Sequence, residues 1–307
     1  MSTNKINWTH IFLAIFATTL WGSAFAGAKI GFLYMSPIML SGLRFTLAGV
    51  LLMPMIYFFK IGWREQLKHW RFMLLFGFIQ TFMQYGIFFM GLNKVPGSLA
   101  AIIIGAGPLF VAVMAHLTLK NDKLNARKIF AILLGLAGVV SISLTGDSIV
   151  DNSSQFYVGI ALLLLSNMIG SYTNIMVVKK DAGISPVMLT MFANFTGGLM
   201  LFAVSLFVES PEALCQSLPL EFFMALLWLA FIPAAAFSAW YYLLSQPDVK
   251  VSELNIWKFI IPVVGVLLSW WLVPGESPSW SAVIGIVIIS SAVLVLQLPT
   301  ITSKFKK

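Results

Sequence analysis

Charged residues are scarce in this sequence. Only 10% of its 307 residues are Asp, Glu, Lys or Arg, whereas a typical soluble domain has about 25%. Hydrophobic residues make up 59% of the chain, and the mean hydropathy is +0.93. Because a water-soluble core could not enclose so much apolar surface, this composition excludes an ordinary soluble domain and predicts a protein embedded in lipid.

The residues that build catalytic and metal sites are also few. The single cysteine, Cys215, excludes an internal disulfide, and no residue spacing resembles a zinc site. An intramembrane enzyme would need paired aspartates, a Ser–His pair or an H-E-x-x-H helix. Asp and Glu occur only in the loops and at the ends of the apolar runs, H-E-x-x-H is absent, and the 3 histidines are scattered. We therefore expect no catalytic residue, no metal and no cofactor, and an enzyme is only a distant alternative.

Ten apolar runs fill the chain, and each is close to the 20 or so residues that a helix needs to cross a bilayer. Strands of a membrane β-barrel would be about ten residues long and would alternate in polarity, which these runs do not. The predicted fold is an all-α integral membrane protein whose ten transmembrane helices lie at 8–28, 37–59, 71–92, 97–119, 127–146, 156–178, 186–208, 221–244, 252–273 and 280–299.

The cations indicate how the helices are oriented. If the N-terminus is cytoplasmic, fifteen of the 19 Lys and Arg residues fall in cytoplasmic segments and only Lys29 and Lys94 fall in outside loops. Arg44 and Lys258 lie within runs. Because cytoplasmic loops concentrate Lys and Arg, we expect a multi-pass protein of the bacterial cytoplasmic membrane with both termini in the cytoplasm. The net charge of +8 then reflects orientation, and we expect no nucleic-acid partner.

The chain resembles itself across about 150 residues. The matching segments are Ser36-Pro37-Ile38-Met39-Leu40-Ser41 with Ser185-Pro186-Val187-Met188-Leu189-Thr190, Gly107-Pro108-Leu109-Phe110-Val111 with Ile261-Pro262-Val263-Val264-Gly265, and Asp122 with Glu276. They predict two five-helix repeats, 8–146 and 156–299. Since five is odd, the second repeat must enter the membrane from the opposite side, which is typical of secondary transporters.

Further motifs are Leu20-Trp21-Gly22-Ser23, Lys29, Ser36-Pro37, Leu43-Arg44-Phe45, Gly275-Glu276 and the small-residue run from Ile284 to Leu294. With the ten runs and the repeat, they resemble the EamA-type branch of the drug/metabolite transporter superfamily over nearly the whole chain. The resemblance implies the ten-helix EamA fold and transport of amino acids, other metabolites or drugs. The chain departs from the family pattern in both repeats. In the first, Asn121-Asp122 stands where Gly-Glu is usual. In the second, Ile169-Gly170 and Ala193-Asn194 stand in place of the Trp-Gly and Arg-Phe elements.

Proline and glycine interrupt corresponding runs of the two repeats. Such paired interruptions point to the central site of a transporter, although proline is also common in transmembrane helices as a packing kink. We predict helix breaks or hinges at Gly105, Gly107, Pro108, Pro262 and Gly265.

Arg44 and Lys258 are the two charges that lie well inside the runs, away from their ends. A charge at the bilayer centre costs about 2.5–3.5 kcal/mol on insertion scales. Either the two side chains snorkel to the membrane interface, or they face a polar cavity and attract a carboxylate or another anion.

Uncharged polar and aromatic residues extend this candidate cavity. Gln80 and Gln84 are four residues apart, which places them on one face of an α-helix, and Asn255 stands three residues before Lys258. Each of these groups could equally serve helix packing or interfacial anchoring. The candidate cavity residues are Trp21, Arg44, Gln80, Gln84, Tyr85, Asn167, Asn174, Trp240, Asn255, Trp257 and Lys258. We expect a central cavity between the repeats, lined by runs three, four, eight and nine with contributions from one and six.

The predicted function is secondary transport of a small metabolite, with export of amino acids or similar amphipathic compounds as the first hypothesis. An exporter of drugs or cations is the alternative, but cation sites commonly use buried carboxylates, which the runs lack. The expected partners are a small-molecule substrate and the lipid bilayer, in a monomer or weak homodimer.

Overall fold

The computed structural model describes residues 8–118, 126–137 except 128, 132 and 136, 154–179, 183–209, 217–246, 249, 254–278, and 280–295 except 281, 282, 289 and 293. All regular secondary structure in these ranges is helical. Cys215, Asp122 and both termini lie outside the described residues, as do parts of the predicted spans 127–146 and 280–299.

The helices follow the predicted runs closely. Their bounds are α1 Trp8–Gly31, α2 Pro37–Phe58, α3 Trp63–Leu67, α4 Trp70–Gly77, α5 Tyr85–Asn93, α6 Gly97–Gly105, α7 Gly107–Thr118, α8 Ser154–Lys179, α9 Pro186–Val208, α10 Leu220–Leu244 and α11 Ile260–Leu272. A π-helical segment, Phe78–Gln84, joins α4 to α5, and a 3₁₀ turn, Asn255–Phe259, precedes α11.

Seven helical stretches are long and apolar enough to cross a membrane: Trp8–Gly31, Pro37–Phe58, Trp70–Asn93, Gly97–Thr118, Ser154–Lys179, Pro186–Val208 and Leu220–Leu244. Two shorter apolar helices, Ile260–Leu272 and Val283–Ala292, accompany them, and residues 126–137 include further helical positions. The predicted all-α membrane fold is confirmed.

Proline sets the start of two spans. Pro37 and Pro186 each occupy the first position of a helix, after Ser36 and Ser185 in extended backbone. Proline is favoured there because its missing N–H would have no partner within the helix, and its φ is already helical. This local chemistry explains why α2 and α9 begin where the two Ser-Pro pairs predict.

The closest packing joins helices from different halves of the chain. The principal pairs are α2 with α9, α1 with α10 and α11, α6 with α11, and α5 and α7 with α8. Glycines at the α2–α9 crossing, among them Gly42 and Gly198, let the two backbones approach closely. The helices of each half therefore pack mainly against helices of the other half.

We name the two ends of the bundle by their described charges. The glutamate end holds Glu209 after α9, Glu221 at the start of α10 and Glu276 after α11. The cation end holds the basic residues of the α2–α4 connection and of the α8 C-terminus, which are Lys60, Arg64, Lys68, Arg71 and Lys179.

Candidate functional site: a cavity between the two halves

A cavity of about 840 Å³, counting the open space at its mouth, lies among helices of both halves. The space inside it that a water-sized sphere can reach is about 110 Å³, which is below the usual 300–1,000 Å³ of small-molecule sites. Nine of the eleven candidate residues line it: Trp21, Arg44, Gln80, Gln84, Tyr85, Asn167, Asn174, Trp240 and Lys258. The lining comes from spans one, three, four, six, eight and nine, as expected, and from span two through Arg44.

Arg44 is buried in the cavity wall. Its side chain is only 2% exposed, and its guanidinium carbon lies 4.3 Å from the ring centre of Phe45, 4.8 Å from that of Phe89 and 5.6 Å from that of Tyr85. Aromatic ring faces attract cations. The Nε and Nη1 atoms of Arg44 are buried and find no hydrogen-bond partner among the described residues. The snorkelling alternative is therefore wrong for Arg44.

Lys258 reaches the cavity from the 3₁₀ turn that precedes α11. Its Nζ lies 5.0 Å from a ring centre of Trp240 and 6.0 Å from one of Trp21. Both tryptophans line the same cavity, so the ammonium is placed among cavity residues. The aromatic partners of Lys258 and Arg44 do not overlap, and the two cations therefore occupy different parts of the wall.

A continuous row of aromatic rings connects the two cations. Trp21 lies 5.0 Å from Trp240 and 5.3 Å from Phe237, and Phe237 lies 5.8 Å from Tyr85. We call Trp240, Trp21, Phe237 and Tyr85 the aromatic wall. Phe237 was not among the predicted residues, although it stands three positions before Trp240 and so shares a helix face with it.

Amide side chains supply polar groups to the cavity. Asn167 Nδ2 donates to the Ile103 carbonyl at 2.8 Å, and Trp240 Nε1 donates to Asn174 Oδ1 at 3.3 Å. Gln80 Oε1 accepts from Thr81. Gln80 Nε2 and Gln84 Oε1, in contrast, are buried without a partner in the described part of the chain. Buried polar groups are nearly always hydrogen-bonded, so these two atoms are available to a bound molecule.

The helix that carries the two glutamines differs from the expectation. The sequence predicts an uninterrupted α-helix over 71–92, but Phe78–Gln84 is π-helical. Both glutamines still line the cavity. A π-helical turn widens the helix locally and occurs frequently at functional sites. Sequence periodicity did not reveal it, because Gln80 and Gln84 fit an α-helical face equally well.

Span four is interrupted where Gly105, Gly107 and Pro108 predict, whereas span nine passes from the 3₁₀ turn directly into α11, and Gly265 lies within α11. Neither Pro108 nor Pro262 kinks the middle of a helix. The α6–α7 break falls at Ala106, so Pro108 stands in the first turn of α7, and Pro262 likewise stands in the first turn of α11. A first-turn proline forfeits no helical hydrogen bond. Gly107 lines the cavity.

The remaining break residues pack the two halves together. A Cβ added to Gly105 would lie 2.6 Å from Pro262 Cγ, and Gly265 packs with similar closeness against Ala101. Glycine is required at these positions because the halves touch there. Gly105, Pro108, Pro262 and Gly265 do not reach the described cavity lining, and their role as hinges stays a prediction.

Two predicted cavity residues stand elsewhere. Asn255 is buried, with 1% exposure, and Trp257 is half-buried against the apolar core. Neither belongs to the cavity lining. The prediction grouped Asn255 with Lys258 from their spacing of three, and that spacing did not decide which side chain reaches the cavity surface.

Small polar residues on α8 were missed. Ser166, Gly170, Ser171 and Thr173 line the cavity beside Asn167 and Asn174. The Ser171 and Thr173 hydroxyls donate to carbonyls of their own helix, as hydroxyl groups often do within membrane helices. Their recurrence at intervals of three and four along 166–174 could have identified this helix face.

At the glutamate end, two carboxylates cap helices of the opposite half. Glu276 accepts from the Gly97 N–H at 2.5 Å, the Ser98 N–H at 3.0 Å and the Ser98 hydroxyl at 2.7 Å. Glu209 accepts from the Ile38 and Met39 N–H groups at 2.9 and 2.8 Å. Carboxylates are favoured there because the first N–H groups of a helix lack internal partners.

Two further residues, Gly275 and Tyr34, contribute to the structure of the glutamate end. Gly275 has φ of +82°, a left-handed conformation that glycine adopts without strain, and it directly precedes Glu276. Nearby, the Tyr34 hydroxyl donates to Glu221 at 3.0 Å, and this bond raises the pKa of Tyr34 above its ordinary value. The Gly-Glu motif noted in the sequence thus joins the two halves.

A family model described as the EamA-like transporter family matches the chain twice, over residues 8–144 and 157–298. The chain belongs to the EamA-like transporter family. It is accordingly a multi-pass membrane transporter of the drug/metabolite transporter superfamily.

Two curated relatives and one solved structure illustrate the membership. The chain is 25% identical to the "Probable amino-acid metabolite efflux pump" of Salmonella typhimurium, over 92% of this chain and 93% of that protein. It is 24% identical to the "Uncharacterized transporter YoaV" of Bacillus subtilis, over 85% and 87%. One crystal structure shares the fold with a TM-score of 0.68 at 18% identity, covering 94% of this chain and 98% of that one.

Proposed function

We propose that this EamA-family protein is a secondary transporter of small carboxylate-bearing metabolites, such as amino acids or similar amphipathic compounds. The single observation that carries the proposal is the central cavity, in which Arg44 and Lys258 stand without a neighbouring carboxylate among the described residues that line it. Buried charges are normally paired. A cargo carboxylate would supply the missing partner, and the aromatic wall would hold the apolar part of the cargo.

Transport would proceed by alternating access between two inverted repeats, 8–146 and 156–299. The principal helix contacts join one half to the other, so a relative movement of the halves would alter the cavity from both sides. The relative from Salmonella typhimurium, named a probable amino-acid metabolite efflux pump, supports amino-acid-like cargo and export. We place the protein in the bacterial cytoplasmic membrane as a monomer or weak homodimer, with both termini in the cytoplasm.

The test is a thermal-shift screen of metabolites on the purified protein, followed by flux of the hits in proteoliposomes. Carboxylates should stabilise the protein more than their amides, and Arg44→Gln or Lys258→Gln should weaken uptake of carboxylates selectively. Arg71→Gln and Lys68→Gln are matched controls, because both side chains are exposed at the cation end. Flux of cationic drugs without flux of carboxylates would favour the alternative of a drug exporter.

A further inference from the structure

We infer that the cavity selects cargo with two anionic groups, a dicarboxylate, over zwitterions and monocarboxylates. This inference rests on the proposed function and narrows its substrate class. It follows from three features of the described cavity: two separate cations, an apolar wall between them, and a lining that contributes no acidic side chain.

The first feature is the number of anion positions. Arg44 lies against Phe45, Phe89 and Tyr85, whereas Lys258 lies against Trp21 and Trp240. No ring is shared, and Phe237 stands between Trp21 and Tyr85 in the aromatic wall. The two cations therefore offer two places for an anionic group. A cargo with a single carboxylate would leave unpaired either Arg44, which is 2% exposed, or the half-buried Lys258, and an unpaired charge removed from water is unfavourable.

The second feature is the treatment of a cargo ammonium group. A zwitterionic amino acid needs a carboxylate or a free aromatic face for its cation. The described lining offers no Asp or Glu. Trp21, Trp240 and Tyr85 already lie beside the cavity's own cations, which leaves the lining rings of Phe25, Phe88, Phe237 and Tyr241. An ammonium group placed along this wall would meet like charge at either end. This arrangement disfavours a cationic group at the same site.

The third feature is the set of unpartnered donors in the cavity lining. Arg44 Nε and Nη1 are buried and unpartnered among the described residues, and so is Gln80 Nε2. A guanidinium presents its N–H groups in a planar fork that matches the two oxygens of a carboxylate. Lys258 is a point charge with rotatable donors. The carboxylate at Arg44 would thus be held in a defined orientation, and the one at Lys258 more loosely, which accommodates dicarboxylates of different length.

The experiment measures binding of matched probes to the full-length purified protein by calorimetry. The probes are the linear dicarboxylates from malonate to suberate, with the mono-amide and diamide of each acid. For the best-fitting length, we expect the dianion to bind about tenfold more tightly than its mono-amide, since a hydrogen bond to a charged group has this order of effect. The diamide should bind weakest.

Variants of Arg44 and Lys258 test whether these two residues are the two anion-binding positions. Arg44→Gln and Lys258→Gln should each remove the preference for the dianion over the mono-amide, and Arg44→Lys should restore part of it by restoring the charge. Lys68→Gln should leave the preference intact. The elution volume on gel filtration and the thermal midpoint verify that each variant is folded, and the ranking of probes on the unmodified protein decides the inference even if a variant does not fold.

The outcomes separate this inference from the proposed function. Equal affinity of every dianion and its mono-amide overturns the dicarboxylate inference, and so does tighter binding of glutamine than of glutarate. If proteoliposomes then transport monocarboxylates or zwitterions, the proposed function stands alone. If no carboxylate crosses proteoliposome membranes that contain the protein, the proposed function fails, whichever probe binds best.

Discussion

Arg44 is a charged side chain held among aromatic rings, with 2% of its surface exposed. Removing an ion from water costs several kcal/mol even after the protein relaxes, and a desolvated cation–π contact returns about 2 kcal/mol. The residue therefore contributes little to stability without an anionic partner, which is the situation expected of a group retained for binding.

We predict that Arg44→Met keeps or raises the stability of the cargo-free protein, by up to about 1–4 kcal/mol, because apolar replacements of buried charges often do so. The same variant should lose the stabilisation that carboxylate cargo gives. Thermal unfolding with and without cargo measures both effects, and Arg71→Met at the exposed surface is the control. A large loss of stability without cargo would assign Arg44 a structural role instead.

The sequence predicted most of the cavity residues, but residue spacing alone did not determine which side chains reach the cavity. Arg44 and Lys258 were identifiable because a charge within an apolar run is costly and needs a reason. The row from Trp240 to Tyr85 was predictable only in part, because ring contacts between distant helices depend on crossing angles. Asn255 and Trp257 were misplaced for the same reason.

Among the elements, the helix ends at the glutamate end connect the two halves most directly. Glu276 follows α11 and caps α6, and Glu209 follows α9 and caps α2. At the cation end, Gln66 has the corresponding neutral role: its side chain accepts from the Ser185 N–H and donates to the Gly183 carbonyl. Opening the bundle at the glutamate end would separate carboxylates from helix N-termini. Opening the other end would separate the Gln66 amide from Gly183 and Ser185, and the Lys179 ammonium from the Thr118 carbonyl.

We predict that Glu276→Gln favours opening of the glutamate end. Glutamine replaces one acceptor oxygen with a donor, which would face the Ser98 N–H, and the loss of a charge-assisted bond costs about 1–3 kcal/mol. A cysteine at Ser166 in a Cys215→Ser background should then react faster with a small reagent added from that end, by roughly tenfold.

Glu221→Gln is the matched control for this measurement, because Glu221 also bridges the halves but, among the described residues, bonds only the Tyr34 hydroxyl. It should change the labelling rate little. Equal rates for Glu276→Gln and the parent protein would contradict a closing role for the cap.

The breaks within elements show where sequence reasoning stops. Gly105 and Pro108 predicted an interruption of span four, which is present at Ala106. Pro262 predicted one in span nine, where the 3₁₀ turn Asn255–Phe259 passes directly into α11. Pro108 and Pro262 each lie in the first turn of a helix. Local sequence preference did not predict this placement, because it also depends on the packing of α6 against α11. The π-helical turn at Phe78–Gln84 has no proline or glycine within it, so no residue type announced it.

For the whole molecule, the orientation in the membrane is still a prediction, based on the uneven distribution of Lys and Arg. Cys215, in the 209–220 loop, should react with a membrane-impermeant maleimide added outside intact cells. A cysteine at Lys68 in a Cys215→Ser background should be protected. Protection of Cys215 together with labelling at position 68 would reverse the proposed orientation.

The energy source follows from the distribution of acids over the whole chain. All 11 Asp and Glu residues fall in loops or at span ends, whereas proton- and sodium-coupled carriers commonly place an acid within the membrane. We predict transport driven by the cargo gradient or by exchange. In proteoliposomes with equal cargo on both sides, an imposed pH or sodium gradient should produce no net accumulation, and accumulation would contradict the prediction.

The aromatic surroundings of Arg44 have a consequence for biogenesis. Its three ring partners, Phe45, Tyr85 and Phe89, all belong to the first half of the chain. They leave the ribosome before any helix of the second half is synthesised. The guanidinium can therefore be shielded from lipid once α2 and α5 have been inserted, while the main packing partner of α2, α9, does not yet exist. Arg44 can thus acquire its aromatic surroundings during synthesis, before the second half of the chain has been made.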